Sequence, residues 1–262
     1  MEILLCNDDG YYSKGIKALE SAFSDIANLT IVAPETNCSG ASSSLTIKNP
    51  LRIRKFQDNG YYVNGTPCDC IHLAATTICH RRPDLIISGI NLGANLGDDV
   101  LYSGTVGAAM GGRFIGVPCL AISIVDRKPV YLDTAVEVAR NLVEFLIKKP
   151  KVPAKTLNIN VPDIPIESLQ GYSITRLGNR SIPDLFKPDK DLFGENVYWL
   201  GPPPPPKDAS EGTDFFAIEQ NCVSITPLIS DFTDHSVNED LQKWMGDQLI
   251  CCLLYTSDAA DE

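Results

Sequence analysis

The sequence predicts a doubly wound, mostly parallel α/β sheet of the Rossmann-like kind, and three observations carry that prediction. Four short unbroken apolar runs, EILLC (2–6), LTIVA (29–33), DLIIS (84–88) and CLAIS (119–123), have the character of strands buried on both faces. Amphipathic stretches with helical spacing separate the runs, as βαβ connections require. The first three runs give way to polar segments, NDDG, PETNCSGASSS and GINLGANLGDD, and ligands of such sheets bind beyond the carboxyl ends of the strands.

Taken in order, the first run ends in Asn7-Asp8-Asp9-Gly10, a strand delivering two adjacent carboxylates into a turn. Gly15 to Asp25 follows with apolar positions at 16, 19, 22, 23 and 26, which is one face of a helix. The second run opens into PETNCSGASSS (34–44). Pro67 to Ile78 and Gly104 to Phe114 carry two further helical stripes, on either side of the third run and its GINLGANLGDD rim (89–99). A cleaner helix spans Val130 to Lys149, and TLNINVP (156–162) is one more strand.

Beyond residue 170 the character changes. Residues 171 to 216 mix aromatic strand-like pieces, GYSITRL and NVYWLG, with the run Pro202 to Pro206, which cannot lie inside a sheet because proline donates no ladder hydrogen bond. This predicts a protruding hairpin arm with a stiff connector. CVSITPL (222–228) alternates like a final strand, and Val237 to Met245 is a closing helix. The expected organisation is therefore a core at 1–170 and, at 171–248, an arm, final strand and helix. The last eleven residues, CLLYTSDAADE (252–262), resemble the in-frame translation of a transposase sequencing adapter and are set aside as a non-native tail.

Bulk composition narrows the function. The chain has 262 residues, 44% hydrophobic, and a net charge of -11, which argues against binding nucleic acid polymers or anionic membranes through a basic surface. No apolar run approaches the roughly 20 residues that span a bilayer, and Met1-Glu2 leads straight into a strand. The expectation is a cytoplasmic protein. The nine cysteines are scattered, and Cys68-Asp69-Cys70 lacks the two-residue spacer of zinc or redox pairs, so they read as reduced structural thiols.

Two adjacent carboxylates repel, and one takes up a proton unless a cation neutralises the pair. A divalent metal is the economical answer, and oxygen donors without a His or Cys cluster favour Mg²⁺ or Mn²⁺ over zinc. The glycines of SGINLGANLG allow close backbone approach to a ligand, with Asn91 and Asn95 as neutral hydrogen-bonding groups. Ser103-Gly104-Thr105 reads as hydroxyls and free amides at a helix start, which is an anion site beside a metal and a plain N-cap without one.

These stretches also carry a resemblance. ILLCNDDG, VAPETNCSGASSSLT, GTPCDC, SGINLGANLGDDVLYSGTVGAAMGGR and VSITPL look like the motifs of the SurE family (survival protein E), over roughly residues 1 to 246. The resemblance implies a 5′/3′-nucleotidase that hydrolyses nucleoside monophosphates, in some members also short polyphosphate, with one divalent metal per subunit held by the positions that are here Asp8, Asp9, Ser39 and Asn91. It also implies a homodimer or homotetramer that exchanges C-terminal segments. Cys38 stands where a basic residue is common, which bears on substrate preference.

In the expected mechanism Asp8 and Asp9 are catalytic through the metal, Asn95, Ser103, Thr105 and the amide of Gly104 position the phosphate, and Asp9 is the better proton acceptor. His72 and His80 read as structural, and His235, in DFTDHS, is assigned no catalytic role, a contact to a site or a subunit being the lesser of its readings. Two rival readings are a non-catalytic Mg²⁺-binding receiver-like module and a nucleotide-binding module. The first needs a phosphorylatable Asp after the third strand, where the chain has Ser88-Gly89-Ile90-Asn91. The second needs a glycine fingerprint that NDDGYYSKG lacks.

Overall fold

In the computed structural model, which describes residues 1–153, 155–181 and 186–245, the strands are β1 Glu2–Cys6, β2 Asn28–Pro34, β3 Ile53–Gln57, β4 Gly60–Val63, β5 Leu85–Leu92, β6 Cys119–Ile124 and β7 Thr156–Val161. They continue as β8 Tyr172–Ile174, β9 Asn179–Arg180, β10 Phe186–Lys190, β11 Asn196–Leu200, β12 Pro206–Asp208 and β13 Val223–Leu228. The helices are α1 Lys14–Phe23, α2 Pro67–Leu73, α3 Gly104–Gly111, α4 Leu132–Lys148, α5 Asp214–Glu219 and α6 Asn238–Met245.

Nine strands form one sheet in the order β3-β4-β2-β1-β5-β6-β7-β13-β8. The six from β4 to β7 pair in parallel, and β3 and β13 meet them antiparallel. The chain winds outward from β1 through β2 to β4, then returns to the other side of β1 and winds through β5, β6 and β7. The topological switch point therefore lies between β1 and β5, and a ligand of an open α/β sheet belongs there.

Alternation along the strands sorts the core into two layers. Ile3 and Leu5 of β1 face Ile16, Leu19 and Phe23 of α1 and Ala135, Val138 and Val143 of α4. Leu4 and Cys6 face Ile71 of α2 and Val106, Ala108 and Ala109 of α3. Helices cover both faces, as the unbroken apolar runs predict. Gly15 is needed where α1 crosses β5, since a Cβ there would lie 1.9 Å from the Ile90 carbonyl oxygen.

Several boundaries differ from the sequence expectation, each for a local reason. The stripe 67–78 is α-helical only to Leu73 and continues as a π-turn through Ile78. The stripe 104–114 tightens to a 3-10 turn at Gly112–Ile115, closed by Gly116 at φ 75°. A core ending at residue 170 separates strands that the sheet joins: β13 pairs with β7, and β8 adds parallel to β13. The hairpin arm is shorter than 171–216 and consists of β10 and β11, paired Phe186 with Leu200 through Lys190 with Asn196. Pro206 opens β12, opposite Arg180 of β9, at the first residue of a strand where its missing N–H is tolerated.

Residues 230–245 belong to a separate compact unit made of a 3-10 turn, His235–Val237, and α6. In it the exposed His235 Nε2 lies 2.7 Å from Asp231 Oδ2, a surface pair four residues apart. The tail read as 252–262 lies outside the described residues. Among those residues no helix is long and apolar enough to cross a membrane, and the seven cysteines are free thiols.

Candidate active site at the switch point

The site is built from three rims. The turn after β1 is shaped by Asn7, whose Nδ2 donates to the Gly10 carbonyl at 3.0 Å and to Ser13 Oγ at 2.6 Å, while Ser13 caps α1. This fixed turn presents Asp8 and Asp9. The loop after β2 has no regular structure, yet it is pinned along its length. The Cys38 amide donates to the Asp8 carbonyl at 2.7 Å, Ser42 Oγ to the Leu101 carbonyl at 2.6 Å, and the Thr46 amide to Asp69 at 3.1 Å. Asp69 also closes a capping box with Thr66 at the start of α2, which is the structural role of GTPCDC.

Asp8 is 3% exposed and lies against the start of α3. Thr105 donates its hydroxyl to Asp8 Oδ1. Burial pushes the Asp8 carboxyl above the usual range, and the Thr105 hydroxyl followed by the backbone amides of Asp8 and Thr105 pull it partway back. The helix start approaches so closely that a Cβ on Gly104 would lie 2.7 Å from Asp8 Cβ and 2.9 Å from its Oδ2. Asp9 is less covered. Burial and then the Asp8 charge raise its carboxyl to about 6, partly offset by the Leu92 backbone and the Asn37 amide, whose Nδ2 lies 3.2 Å from Asp9 Oδ1. Asp9 Oδ2 is buried with no hydrogen-bond partner among the described residues.

The remaining positions fall around this pair. Asn91 on β5 donates its Nδ2 to the Gly93 carbonyl at 2.8 Å, leaving Oδ1 as the outward acceptor. Ser39 is exposed on the loop after β2, with its amide 2.8 Å from Asn37 Oδ1, so Asn37 ties Ser39 to Asp9. Ser103 caps α3 through Val106 N at 3.1 Å and keeps a hydroxyl proton to donate. Two residues expected at a phosphate are otherwise engaged. Thr105 is fully buried with its hydroxyl on Asp8, and Asn95 Nδ2 donates to Ser123 Oγ at 2.7 Å.

Asn95 is held by residues that sequence reasoning missed. Asn160 of β7 accepts from the Asn95 amide at 2.8 Å and donates to its carbonyl at 3.0 Å, and Asn158 donates to the same carbonyl at 2.8 Å. Their signal was available: two asparagines two apart in a strand otherwise apolar must share one face and must find partners there. Asn37 was equally legible as the amide between the acidic turn and Ser39.

A divalent cation fits this donor set. Two carboxylates with raised affinity for protons, one carrying an unpartnered buried oxygen, are relieved by a hard cation with oxygen ligands. Among the described residues no group of three or more His, Cys, Asp or Glu side chains is placed to hold a metal ion, so Ser39 and Asn91 would have to complete the shell.

Fold and site together define a doubly wound α/β protein with an acidic, cation-suited centre at its switch point and a helix start beside it. The chain belongs to the SurE family: the family described as survival protein SurE matches residues 3–184. A 5′-nucleotidase SurE from Methylococcus capsulatus is 49% identical over 246 residues, 94% of this chain and 98% of that protein. The crystal structure of the SurE protein from Aquifex aeolicus superimposes with a TM-score of 0.82 at 37% identity, covering 94% of this chain and all of that one.

Proposed function

We propose that this chain is a metal-dependent phosphomonoesterase that hydrolyses nucleoside 5′- or 3′-monophosphates to nucleoside and phosphate, with short polyphosphate as a secondary substrate. The observation that carries the reading is the pair of a buried Asp8 and a half-buried Asp9 with an orphaned buried oxygen, at the switch point of a SurE-family fold. Asp8, Asp9, Ser39 and Asn91 would hold one divalent ion, Mg²⁺ or Mn²⁺. Such an ion, when bound, supplies Lewis acidity toward water and charge neutralisation for the phosphoryl oxygens.

The protein's own groups do the rest. The Ser103 hydroxyl and the Gly104 amide at the start of α3 orient the phosphoryl group, and Asn95 contributes from behind it by shaping the loop after β5. Thr105 acts one step back by fixing the Asp8 carboxylate that a phosphate contact would otherwise displace. Asp9, the more accessible carboxylate, accepts the proton of the attacking water.

The β10–β11 hairpin exposes Phe186, Phe193, Tyr198 and Trp199, an aromatic surface that a second copy of this chain would cover in a dimer or tetramer. Free thiols among the described residues suit the reducing cytoplasm. A phosphate-release screen over 5′- and 3′-mononucleotides with added Mg²⁺ or Mn²⁺ tests the reading. Release from at least one of them supports it, and a chain inert toward all of them overturns it.

A further inference from the structure

The rim of the site is closed on one side and open on the other. Over β6 and β7 it is filled by Asn95, Ser123, Asn158 and Asn160, all buried and bonded to one another. Over β2 and β4 a groove of about 670 Å³ runs between the loop after β2 and the segments that leave β4 and enter β3. A continuation of about 250 Å³ passes Arg54 and Tyr62. Because β4 is parallel to β2 and β3 is antiparallel, Asn64 and Arg52 stand on the same carboxyl rim as Asp8. Cys38 belongs to both regions: its side chain lines the groove and its amide holds the Asp8 carbonyl. A substrate whose phosphate lies at the acidic pair can extend from it into this groove.

The groove offers both kinds of hydrogen-bonding group. Glu35 supplies a carboxylate acceptor and Arg52 a guanidinium donor, and both line its two parts. In a chain of net charge -11, Arg52 and Arg54 lie together on this edge with no ion pair among the described residues. Tyr62, in the continuation, stacks on Tyr11 with ring centroids 4.4 Å apart, and Tyr11 follows directly on the acidic turn. The dimensions suit a small ligand, since such sites span about 300–1,000 Å³.

We infer that this groove is the nucleoside subsite of the same centre, seating the ribose and base of a nucleoside monophosphate, with Glu35 and Arg52 reading the edges of the base. The inference rests on the nucleotidase reading above. Guanine satisfies both groups at once, through N1–H and the exocyclic amine toward Glu35 and through O6 and N7 toward Arg52. GMP is thus the expected best substrate among the four common mononucleotides. Cys38 leaves the passage between phosphate and nucleoside uncharged.

The test compares kcat/KM for GMP, AMP, CMP and UMP with that for p-nitrophenyl phosphate, which has no nucleoside, in the wild type, Glu35→Gln and Arg52→Gln. The expected result is GMP first in the wild type and, in each variant, at least a tenfold fall in the ratio of GMP to aryl phosphate efficiency, carried by KM. A ratio unchanged in both variants overturns the inference while leaving the nucleotidase reading intact. Calorimetric titration of wild type and variants with GMP in EDTA reads the groove without turnover. Binding weakened tenfold by either substitution supports the subsite even if no nucleotide is hydrolysed, and binding indifferent to both overturns it.

Discussion

Thr105→Val separates two roles for one hydroxyl. The substitution keeps the shape and burial of the side chain and deletes the only group that reaches Asp8 Oδ1 from α3's first turn by a side chain. A hydrogen bond to a charged group contributes about 1.5–3 kcal/mol, and a buried carboxylate that loses one also binds its proton more tightly. Because the bond is already made without the cation, what opposes cation binding is the lost positioning of the carboxylate together with its tighter proton. Loss of such a supporting contact is expected to lower the affinity for Mn²⁺ or Mg²⁺ by roughly 10- to 100-fold. The assay is calorimetric titration of chelator-stripped protein at pH 7.5, paired with inhibition of turnover by inorganic phosphate at saturating metal. The structure predicts weakened metal binding with phosphate inhibition little changed at saturation. Unchanged metal affinity with weakened phosphate inhibition would refute the bracing role and return Thr105 to the phosphate.

Other consequences are equally open to measurement. Asp8→Asn keeps the shape without the charge and is expected to lower kcat/KM by on the order of 10² or more with folding retained, checked by steady-state kinetics beside circular dichroism. Gly104→Ala drives a methyl into Asp8 and should abolish activity while the far side of the sheet stays folded, read by kinetics and melting temperature. Cation affinity should rise with pH through about 6 as Asp9 gives up its proton, with net proton release detectable in buffers of different ionisation enthalpy. In metal-free protein the sign reverses: the folded pKa lies above the unfolded 3.8, so the stabilising contribution of protonated Asp9 is lost as pH rises between about 4 and 6. Trp199→Asp on the exposed hairpin should shift the light-scattering mass toward monomer, and an unchanged mass would remove the hairpin from any interface.

The sheet was legible at β1, β2, β5 and β6, each an apolar run ended by polar residues, and both layers of helices by their stripes. At the sheet edge β3 and β4, IRKFQ and GYYV, carry no such run and went unread. The position of Asp8 and Asp9 just past the end of β1 was legible for the same reason as β1 itself. What escaped notice depends on contacts far apart in sequence. Nothing local reveals that Thr105 reaches Asp8 across 97 positions, or that Asn160 grips Asn95 across 65. The arm was placed too early because aromatic residues at 172 and 198 look alike as strand formers, while only the register shows that Tyr172 pairs into the main sheet and Tyr198 into the hairpin.

If the Asp8–Asp9 pair holds a divalent cation on which phosphomonoester hydrolysis depends, titrating Mn²⁺ into chelator-stripped protein while phosphate release from a nucleoside monophosphate is followed should give no release in EDTA and a saturable rise to full rate as one equivalent per chain binds. Hydrolysis that persists undiminished after exhaustive chelation would contradict that dependence.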